Sequence, residues 1–520
     1  MMTVTDDLRC MGFSGGPLTF GGAWGRSVEQ RGDSQFLVFE GVDGAVSTWT
    51  YGQFDDVVSR VAGTLSSRGV TAGSAVHMAL ANSPAFVAVW LAAVRLGAWV
   101  VPSDPLGSVA ELEGHIRRTG PVVGVCASQR SDVYQQACGG IQAVQVDEQD
   151  PGLPSLLGDP FTSWSRPGPT DRAAVMFTSG TTGDPKGVEV TQANYAFAGR
   201  TMALAAGLDE TDRQLVVLPM FHVNAQYYSF ASAIWVGASV ALMPSFSASG
   251  FLPQAARYGA TAASLFAAPL RMILARGASV EGLRLRHCWY AQNITADQYS
   301  MVSEWFGCRP RQLYGMTETI PAVLTEETED PEPSSMGRVT AGCVVDVQRP
   351  DGTSVDIGEV GEVVVGGKRG MTLFAGYLDD AATTEASFRD GWFLTGDRAR
   401  RDDTDRHYFD GRRSDVLKVA GENVSVVEVE AVLAQHPGVL EAAVIGRDDE
   451  IRDELPVAFV VADPSTHPPS VADLNQWCTE RLAKVKRPVE ITFLDELPRT
   501  SVGKIRKFLL HHPGPARKSE

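Results

Sequence analysis

The chain has 520 residues, which is too long for one ordinary domain and predicts two or three hydrophobic cores. Hydrophobic residues make up 44% of the sequence and charged residues 21%, values typical of a soluble globular protein. Its 45 basic and 62 acidic residues give a formal net charge of −17, which argues against nucleic acid or an acidic membrane surface as a partner.

The two ends of the sequence and its cysteines indicate the cellular compartment of the protein. The first residues, MMTVTDDLRCMGFSGG, lack the basic start and the apolar core of a signal peptide. No apolar run reaches membrane-spanning length, and the C-terminal RKSE is not a peroxisomal signal. The seven cysteines are scattered without a CxxC pair, which fits reduced thiols better than a disulfide framework. The sequence therefore predicts a cytoplasmic protein without a membrane span.

The first half of the chain repeats one order of secondary-structure elements. Residues 1–47 predict an N-terminal arm with one helix, and a capping-box pattern at Thr50–Gln53 begins a helix that ends before Gly69. A strand, a helix and a strand follow at 75–80, 84–96 and 98–101, and the same order recurs at 214–218, 224–235 and 238–243. The repetition predicts two related α/β subdomains with parallel sheets, whose facing edges form a cleft.

Between the two units, a strand at 173–177 and a short strand at 188–190 enclose a polar loop. The loop from Thr178 to Gly187 contains three glycines, four hydroxyl side chains and one lysine. Such a loop offers a phosphate many backbone N–H groups and a mobile cation, although a flexible surface turn has a similar composition. It is not a Walker loop, because Pro185 precedes its lysine and Gly187 follows it.

The last third of the chain changes in texture. From Gly361 the sequence alternates valine with glycine turns, which predicts a small β-rich subdomain. A polar, charged segment at 410–415 is followed by a helix, two strands and a helix at 427–434, 442–445, 457–461 and 471–482. We therefore predict an N-terminal core at 1–410, a hinge at 411–415 and a mobile C-terminal domain at 416–520.

Four segments resemble the signatures of the acyl-adenylate-forming (ANL) superfamily: TSGTTGDPKG at 178–187, YGMTE at 314–318, WFLTGD at 392–397 and PRTSVGKIR at 498–506. The resemblance spans roughly residues 25–510. Within the acyl-CoA synthetase branch, FHVNAQ at 221–226 and AGENVS at 420–425 look closest to the crotonobetaine/carnitine–CoA ligases. The resemblance to the superfamily implies an α/β fold. Its large N-terminal domain would contain two α/β subdomains and a β-rich subdomain, and a small mobile α+β domain would follow at the C-terminus.

The resemblance implies a site for ATP, although each motif alone is more often a turn or a solvated tail. The residues implied to hold phosphate are Thr178, Ser179, Gly180, Thr181, Thr182, Gly183 and Lys186. Tyr314, followed by Gly315, would pack against adenine, and Thr317 would hydrogen-bond the α-phosphate. Glu318 would bind Mg²⁺, since a carboxylate suits a hard cation that bridges phosphates.

Further positions follow from the same resemblance. Asp397 and Arg412 would bind the ribose, and Lys504 would bridge the substrate carboxylate and the α-phosphate. His222 would act as a gate between the acid and the thiol channel, although a lone histidine is most often structural. The residues implied to form the acyl pocket are Val223, Asn224, Gln226, Tyr227, Tyr290, Ala291 and Gln292. Gly421 and Glu422 would line the CoA channel.

The resemblance implies an ATP- and Mg²⁺-dependent carboxylate–CoA ligase, and we expect a hydrophobic acid as its substrate, with a bulky or cyclic acid as the more specific expectation. A homodimer is one expectation for its oligomeric state. The family usually has Asp or Lys at the hinge position of Ser414, which leaves open a stand-alone enzyme that hands acyl-AMP to another protein. A non-catalytic nucleotide-binding module is the alternative from another class. An amino-acid-activating domain is disfavoured because no acidic residue follows Phe221.

Overall fold

The computed structural model describes residues 18–178, 185–327, 330–412, 416–419, 422–449, 452–464, 466–499 and 505–510. The chain forms two compact units, Met1–Val345 with Val365–Phe393 and Asp346–Val364 with Leu394–Glu520. Among the helices that the structure describes, none combines the length and the apolarity that a membrane-spanning helix needs. The six cysteines within these residues have free thiols.

The helices are α1 Phe20–Arg31, α2 Tyr51–Ser67, α3 Pro84–Leu96, α4 Val109–Thr119, α5 Ser131–Ala137, α6 Gln192–Ala206, α7 Ser232–Val236, α8 Phe251–Arg257, α9 Ala267–Arg276, α10 Ala296–Phe306, α11 Ala381–Ala386, α12 Val426–Ala434 and α13 Val471–Arg481. A π-helix at Asn224–Ala231 precedes α7, and short 3₁₀ turns lie at Ser128–Arg130, Lys484–Lys486 and Lys507–Leu509.

The strands of the first half are β1 Gln35–Glu40, β2 Val46–Thr50, β3 Ala75–Ala79, β4 Trp99–Ser103, β5 Val123–Ala127, β6 Gln142–Val146, β7 Arg172–Thr178, β8 Lys186–Thr191, β9 Arg213–Val216 and β10 Ser239–Leu242. Those of the second half are β11 Ala262–Phe266, β12 His287–Ala291, β13 Arg311–Tyr314, β14 Leu324–Thr325, β15 Arg338–Val339, β16 Val344–Gln348, β17 Val360–Gly366, β18 Gly376–Tyr377, β19 Phe388–Arg389, β20 Trp392–Arg401, β21 His407–Arg412, β22 Val416–Val419, β23 Glu422–Ser425, β24 Val439–Asp449, β25 Asp453–Ala462 and β26 Glu490–Phe493.

Two sheets with largely parallel strands form the first unit. One has seven strands in the order β18-β8-β7-β4-β3-β5-β6, and the other has nine in the order β15-β14-β13-β12-β11-β9-β10-β1-β2. The β3–β4 and β9–β10 pairs are both parallel, so the prediction of α/β subdomains with parallel sheets is confirmed. Strands β1 and β2 were not predicted, and β1 extends the second sheet by pairing with β10.

Local signals define the predicted helices well. The Thr50 hydroxyl accepts a hydrogen bond from the Gln53 backbone N–H at 3.2 Å, and the Gln53 side chain accepts from the Thr50 N–H at 2.9 Å, which completes the capping box. Helix α3 begins with Pro84 after the Ser83 cap and ends at Gly97, whose φ is +70°. Every residue of α3 is buried, which explains why its sequence is apolar on all sides.

The helix predicted at 224–235 is a π-helix over its first eight residues. It packs so closely against α6 that a Cβ on Gly199 of α6 would lie only 2.5 Å from the Ala231 carbonyl oxygen. Where it continues into α7, the Ser232 hydroxyl donates to the Tyr228 carbonyl at 2.6 Å. Short π-helical segments occur frequently at functional sites, and this one directly follows the loop that carries His222.

The remaining sheets are mostly antiparallel. One has the order β16-β17-β20-β19, with β21 paired to β20, and contains the predicted valine-rich stretch. The other has the order β23-β22-β25-β24, with β26 beside β25, and helices α12 and α13 share its core through Val429, Leu433 and Leu474. The prediction of a small α+β C-terminal domain is thereby confirmed. Ser414 lies outside the described residues. The hinge at 411–415 and the domain boundary at 410 stay predictions.

Candidate active site

The predicted signature loops of the first unit begin where its strands end. Strands β9, β11, β12 and β13 run parallel, so their carboxyl ends lie along one edge of the nine-stranded sheet. The loop of His222 follows β9, Ala291 ends β12 and Tyr314 ends β13. In the other sheet, β7 is parallel to β4 and ends at Thr178, where the phosphate loop begins. Ligands of parallel α/β sheets bind at such carboxyl edges.

A buried amide, that of Asn82, joins the carboxyl edges of the two sheets. Its Nδ2 donates to the carbonyl oxygens of Leu218 at 3.0 Å and Met243 at 3.1 Å, and its Oδ1 accepts from the Met220 N–H at 2.8 Å. Asn82 follows β3, whereas Leu218 and Met243 follow β9 and β10 of the other sheet. Asn82 therefore fixes the start of the loop that carries His222, a role that the sequence analysis missed.

Three side chains meet beside the phosphate loop. The Tyr377 hydroxyl donates to Glu318 Oε1 at 3.0 Å, and the Lys186 ammonium lies 4.8 Å from the centroid of the Tyr377 ring. Glu318 is buried, and its carbonyl oxygen accepts from the Phe374 N–H at 2.9 Å. Burial, followed by the nearby Glu318 carboxylate, raises the pKa of Tyr377, so its hydroxyl keeps its proton and donates. Lys186 and Glu318 were predicted from sequence, but Tyr377 was not.

Helix α4 holds both ends of the phosphate loop. The His115 ring stacks on Phe177, just before Thr178, with ring centroids 3.9 Å apart. Arg118 lies over the same Phe177 ring at 5.0 Å and donates to the Pro185 carbonyl at the far end of the loop. Burial lowers the pKa of His115 to about 4, so this contact is made by a neutral imidazole at neutral pH. The predicted phosphate residues Ser179, Gly180, Thr181, Thr182 and Gly183 lie outside the described residues.

The predicted adenine signature forms a tight turn after β13. A Cβ on Gly315 would lie 2.8 Å from the Pro321 carbonyl oxygen and 3.1 Å from the Tyr228 hydroxyl, so only glycine fits there. Tyr314 is partly buried, and its carbonyl oxygen accepts from the Val323 N–H at 2.9 Å. The partly buried Thr317 lies within this turn, immediately before the buried Glu318. The structure thus brings Tyr314, Thr317 and Glu318 to one sheet edge.

The residues predicted from the π-helix for the acyl pocket differ in how the protein uses them. The Gln226 Nε2 donates to the Met220 carbonyl at 2.6 Å, and its Oε1 accepts from the Tyr195 hydroxyl. Both polar atoms of this amide therefore stabilise the surrounding fold. Tyr227 is fully buried, with its hydroxyl 3.9 Å from the Met176 sulfur. Both polar atoms of the buried Asn224 amide lack a hydrogen-bond partner among the described residues. His222 and Val223 are partly buried at the head of the π-helix.

The predicted pocket residues of β12 lie on opposite faces of the sheet. Ala291 packs against the core that contains Tyr227, whereas Tyr290 belongs to the core on the other face. The Tyr290 hydroxyl donates to the Pro333 carbonyl at 3.0 Å. Gln292 is exposed and has a φ of +73°. The structure therefore brings Ala291, but not Tyr290, to the side of the π-helix.

In the second unit, the two predicted ribose-binding residues form an ion pair. Asp397 and Arg412 are register partners on β20 and β21, and Arg412 Nε donates to Asp397 Oδ1 at 2.9 Å. The Asp397 carboxylate is 4% exposed, and the Asp397 N–H donates to the Thr395 hydroxyl at 3.1 Å. That hydroxyl in turn donates to the Val363 carbonyl at 2.7 Å. The carboxylate is thus held in place. Gly421 and Lys504 lie outside the described residues, as does the Glu422 side chain.

The comparisons with known proteins decide the family. The family model described as AMP-binding enzyme matches residues 24–378, more than half of the chain. The model described as AMP-binding enzyme C-terminal domain matches residues 428–504. The chain belongs to the AMP-binding enzyme family. This membership confirms the resemblance on which the site predictions rest.

Individual relatives of this AMP-binding enzyme are CoA ligases. It is 31% identical over 500 residues to the crotonobetaine/carnitine–CoA ligase of Escherichia coli, covering 93% of this chain and 96% of that one. The anthranilate CoA ligase AuaEII in complex with anthranoyl-AMP is 26% identical, with a TM-score of 0.83 over 95% of this chain and 96% of that one. The Bacillus subtilis o-succinylbenzoate CoA synthetase MenE, in complex with its acyl-adenylate OSB-AMP, is 28% identical, with a TM-score of 0.81 over 96% and 99%.

These relatives confirm the predicted fold class and the predicted kind of enzyme. The family contains AMP-forming acyl-CoA synthetases, acid–thiol ligases that use ATP, Mg²⁺ and CoA. The residues of this chain fit these molecules. Glu318 supplies a buried carboxylate, the oxygen ligand that Mg²⁺ prefers, and Lys186 supplies a cation at the phosphate loop. Asp397 supplies a fixed carboxylate that can accept hydrogen bonds from hydroxyl groups.

Proposed function

We propose that this AMP-binding enzyme ligates a hydrophobic carboxylic acid to CoA, with formation of AMP and pyrophosphate. The proposal is supported chiefly by the contacts of Tyr377 with Glu318 and with Lys186, which lie in the first unit beside the phosphate loop. A carboxylate for a divalent cation and an ammonium group for phosphate are the groups that phosphoryl-transfer sites require.

In the first half-reaction, a carboxylate oxygen of the acid attacks the α-phosphorus of ATP in line with the leaving group. The new bond joins that oxygen to phosphorus, pyrophosphate leaves and acyl-AMP forms. No general base is needed, because the acid is already ionised at neutral pH. Negative charge grows on the phosphate oxygens, and Lys186, Thr317 and Lys504 are the residues we propose to stabilise it. A Mg²⁺ ion held by Glu318 would supply further positive charge to the phosphates.

In the second half-reaction, the CoA thiol loses its proton to solvent and its sulfur attacks the carbonyl carbon of acyl-AMP. The bond from that carbon to the phosphate oxygen breaks and AMP leaves. We propose that His222 gates the thiol channel, which Gly421 and Glu422 line. Movement about the hinge at 411–415 would withdraw Lys504 between the two half-reactions. Asp397 and Arg412 bind the ribose hydroxyls in this proposal.

The residues of the proposed acyl pocket favour an acid without a positive charge. Among the predicted lining residues, Val223 and Ala291 are partly buried and both polar atoms of Asn224 lack a partner among the described residues. None of the seven predicted pocket residues is acidic. A cationic acid would need a carboxylate or an open aromatic face to replace its water. We therefore propose a hydrophobic acid, with bulky or cyclic acids as the first candidates.

The second candidate is an enzyme that makes acyl-AMP and hands it to another protein, which Ser414 at the hinge position favours. We also propose that the enzyme is a homodimer and that it acts in the cytoplasm, where ATP and CoA are available.

A panel of acids tests the proposal. The purified protein, with ATP and Mg²⁺, should release pyrophosphate with a hydrophobic acid and form a thioester only when CoA is added. The methyl ester of each active acid is the control, because it lacks the attacking carboxylate and should release none. Acid-dependent pyrophosphate release without any thioester would favour the second candidate. No release with any acid, despite ATP binding, would contradict both enzymatic functions.

A further inference from the structure

Tyr377 connects two predicted functional residues that come from distant parts of the sequence. Its hydroxyl donates to Glu318, 59 positions away, at 3.0 Å. The face of its ring lies 4.8 Å from the ammonium group of Lys186, which begins the neighbouring strand β8. Strand β18, which carries Tyr377, pairs with β8 in the register Tyr377↔Val188, so the backbone fixes the ring beside the base of the phosphate loop.

A core role explains the ring of Tyr377 but not the partner of its hydroxyl. Tyr377 is 8% exposed, and its ring packs edge-to-face on Phe374, with centroids 5.0 Å apart. Phenylalanine would make the same packing contact. The buried hydroxyl of Tyr51, by comparison, donates to a backbone carbonyl, that of Ala238, at 2.7 Å. The Tyr377 hydroxyl instead donates to a buried carboxylate, where it restricts the rotation of the carboxylate group.

We propose that Tyr377 is a positioning residue of the adenylation half-reaction, whose hydroxyl orients the Glu318 carboxylate toward a divalent cation and whose ring positions the Lys186 ammonium toward phosphate. The inference rests on the proposed function. A hydrogen bond to one carboxylate oxygen fixes the direction from which the carboxylate binds a metal. A cation over an aromatic face keeps its N–H donors for the phosphates, because the contact to the ring is electrostatic and needs no particular donor.

The two contacts can be removed separately. Tyr377→Phe removes the hydroxyl and keeps the ring, whereas Tyr377→Leu removes both. We expect Tyr377→Phe to raise the Kd of ATP, measured by calorimetry with Mg²⁺, on the order of 10-fold, as other outer-shell partners of metal ligands do. In EDTA, where no divalent cation is bound, its Kd should equal that of the parent. Tyr377→Leu should weaken ATP binding under both conditions, because Lys186 also loses its support.

Tyr51→Phe is the matched control, since it removes a buried tyrosine hydroxyl far from Glu318 in sequence and should leave both Kd values unchanged. The concentration of Mg²⁺ that gives half-maximal pyrophosphate release should rise in Tyr377→Phe by the same factor as the Kd. A Tyr377→Phe protein that folds and binds ATP with the parental Mg²⁺ dependence would overturn the inference. If no acid supports pyrophosphate release by the parent, the proposed function fails, and the calorimetric comparison still decides the role of Tyr377.

A double-mutant cycle keeps the test decisive if Tyr377→Phe lowers the melting temperature. In a Glu318→Gln background the metal-binding carboxylate is already absent, so adding Tyr377→Phe should not change the Mg²⁺-dependent Kd further. Additive effects of the two substitutions would show that the hydroxyl does not act through Glu318 and would overturn the inference. The same cycle with Lys186→Gln and Tyr377→Leu, measured in EDTA, tests the contact to the ring in the same way.

Discussion

Lys504→Ala should lose adenylation while keeping thioester formation. The rate at which it makes acyl-AMP from acid and ATP is expected to fall on the order of 10²–10³-fold, the usual effect of removing a preorganised contact to developing charge. Given pre-formed acyl-AMP and CoA, the variant should make thioester at close to the parental rate. In the proposed mechanism the lysine contacts the α-phosphate and the acid only before acyl-AMP exists.

Single-turnover assays of each half-reaction measure this split. Lys507→Ala is the matched control, because Lys507 lies three positions away and its ammonium pairs with Glu430 at 2.8 Å. It should leave both rates unchanged. Gly421→Trp should show the opposite pattern, because a bulky side chain would block the proposed CoA channel. Equal loss of both half-reactions in Lys504→Ala would make the lysine a structural residue and remove the main support for a moving C-terminal domain.

Asp397→Ala should bind ATP much more weakly. Arg412 holds the buried carboxylate, and the Asp397 backbone N–H donates to the Thr395 hydroxyl, so the carboxylate is positioned to accept hydrogen bonds from two ribose hydroxyls. Hydrogen bonds to charged groups contribute about 1.5–3 kcal/mol each, so the loss of both predicts an increase in Kd of at least about 10²-fold. Arg412→Ala should have a smaller effect, since the carboxylate remains.

Asp410→Asn is the matched control for this prediction. Asp410 pairs with Arg398 at 3.7 Å on the same two strands, β20 and β21, so its change perturbs the sheet without touching the predicted ribose site. Calorimetry with ATP should give the parental Kd for this variant. An unchanged Kd in Asp397→Ala, with the melting temperature of the parent, would contradict the assignment of the ribose site.

Elements with signals in their own sequence could be predicted. Helices α2 and α3 were predicted because Thr50, Ser83, Pro84 and Gly97 act on backbone groups within a few residues of themselves. Strand β1 was missed because its place depends on β10, some 200 residues away. The π-helix was missed because its sequence is as compatible with an α-helix, and the close approach to Gly199 is a tertiary contact. Contacts within a few residues are visible in a sequence, and those between distant segments are not.

In the candidate site, too, contacts between residues far apart in the sequence could not be predicted from the sequence. Asp397 and Arg412 were predicted together from motifs, and the structure pairs them in register on neighbouring strands. Asn82 and Tyr377 were missed because their partners lie far away in sequence, at Met220 and Glu318. For Tyr290 and Ala291, the alternation of a strand separates the two side chains, but only the packed sheet shows which of them faces the π-helix.

In the proposed mechanism the carboxylate attacks the α-phosphate, and CoA then displaces AMP. The most direct test uses an active acid whose two carboxylate oxygens are ¹⁸O. Since one carboxylate oxygen becomes the bridge to phosphorus and leaves with AMP, mass spectrometry should find one ¹⁸O in AMP, the other in the thioester carbonyl and none in pyrophosphate. Label in inorganic phosphate together with ADP, or thioester formation with unlabelled AMP, would contradict this mechanism.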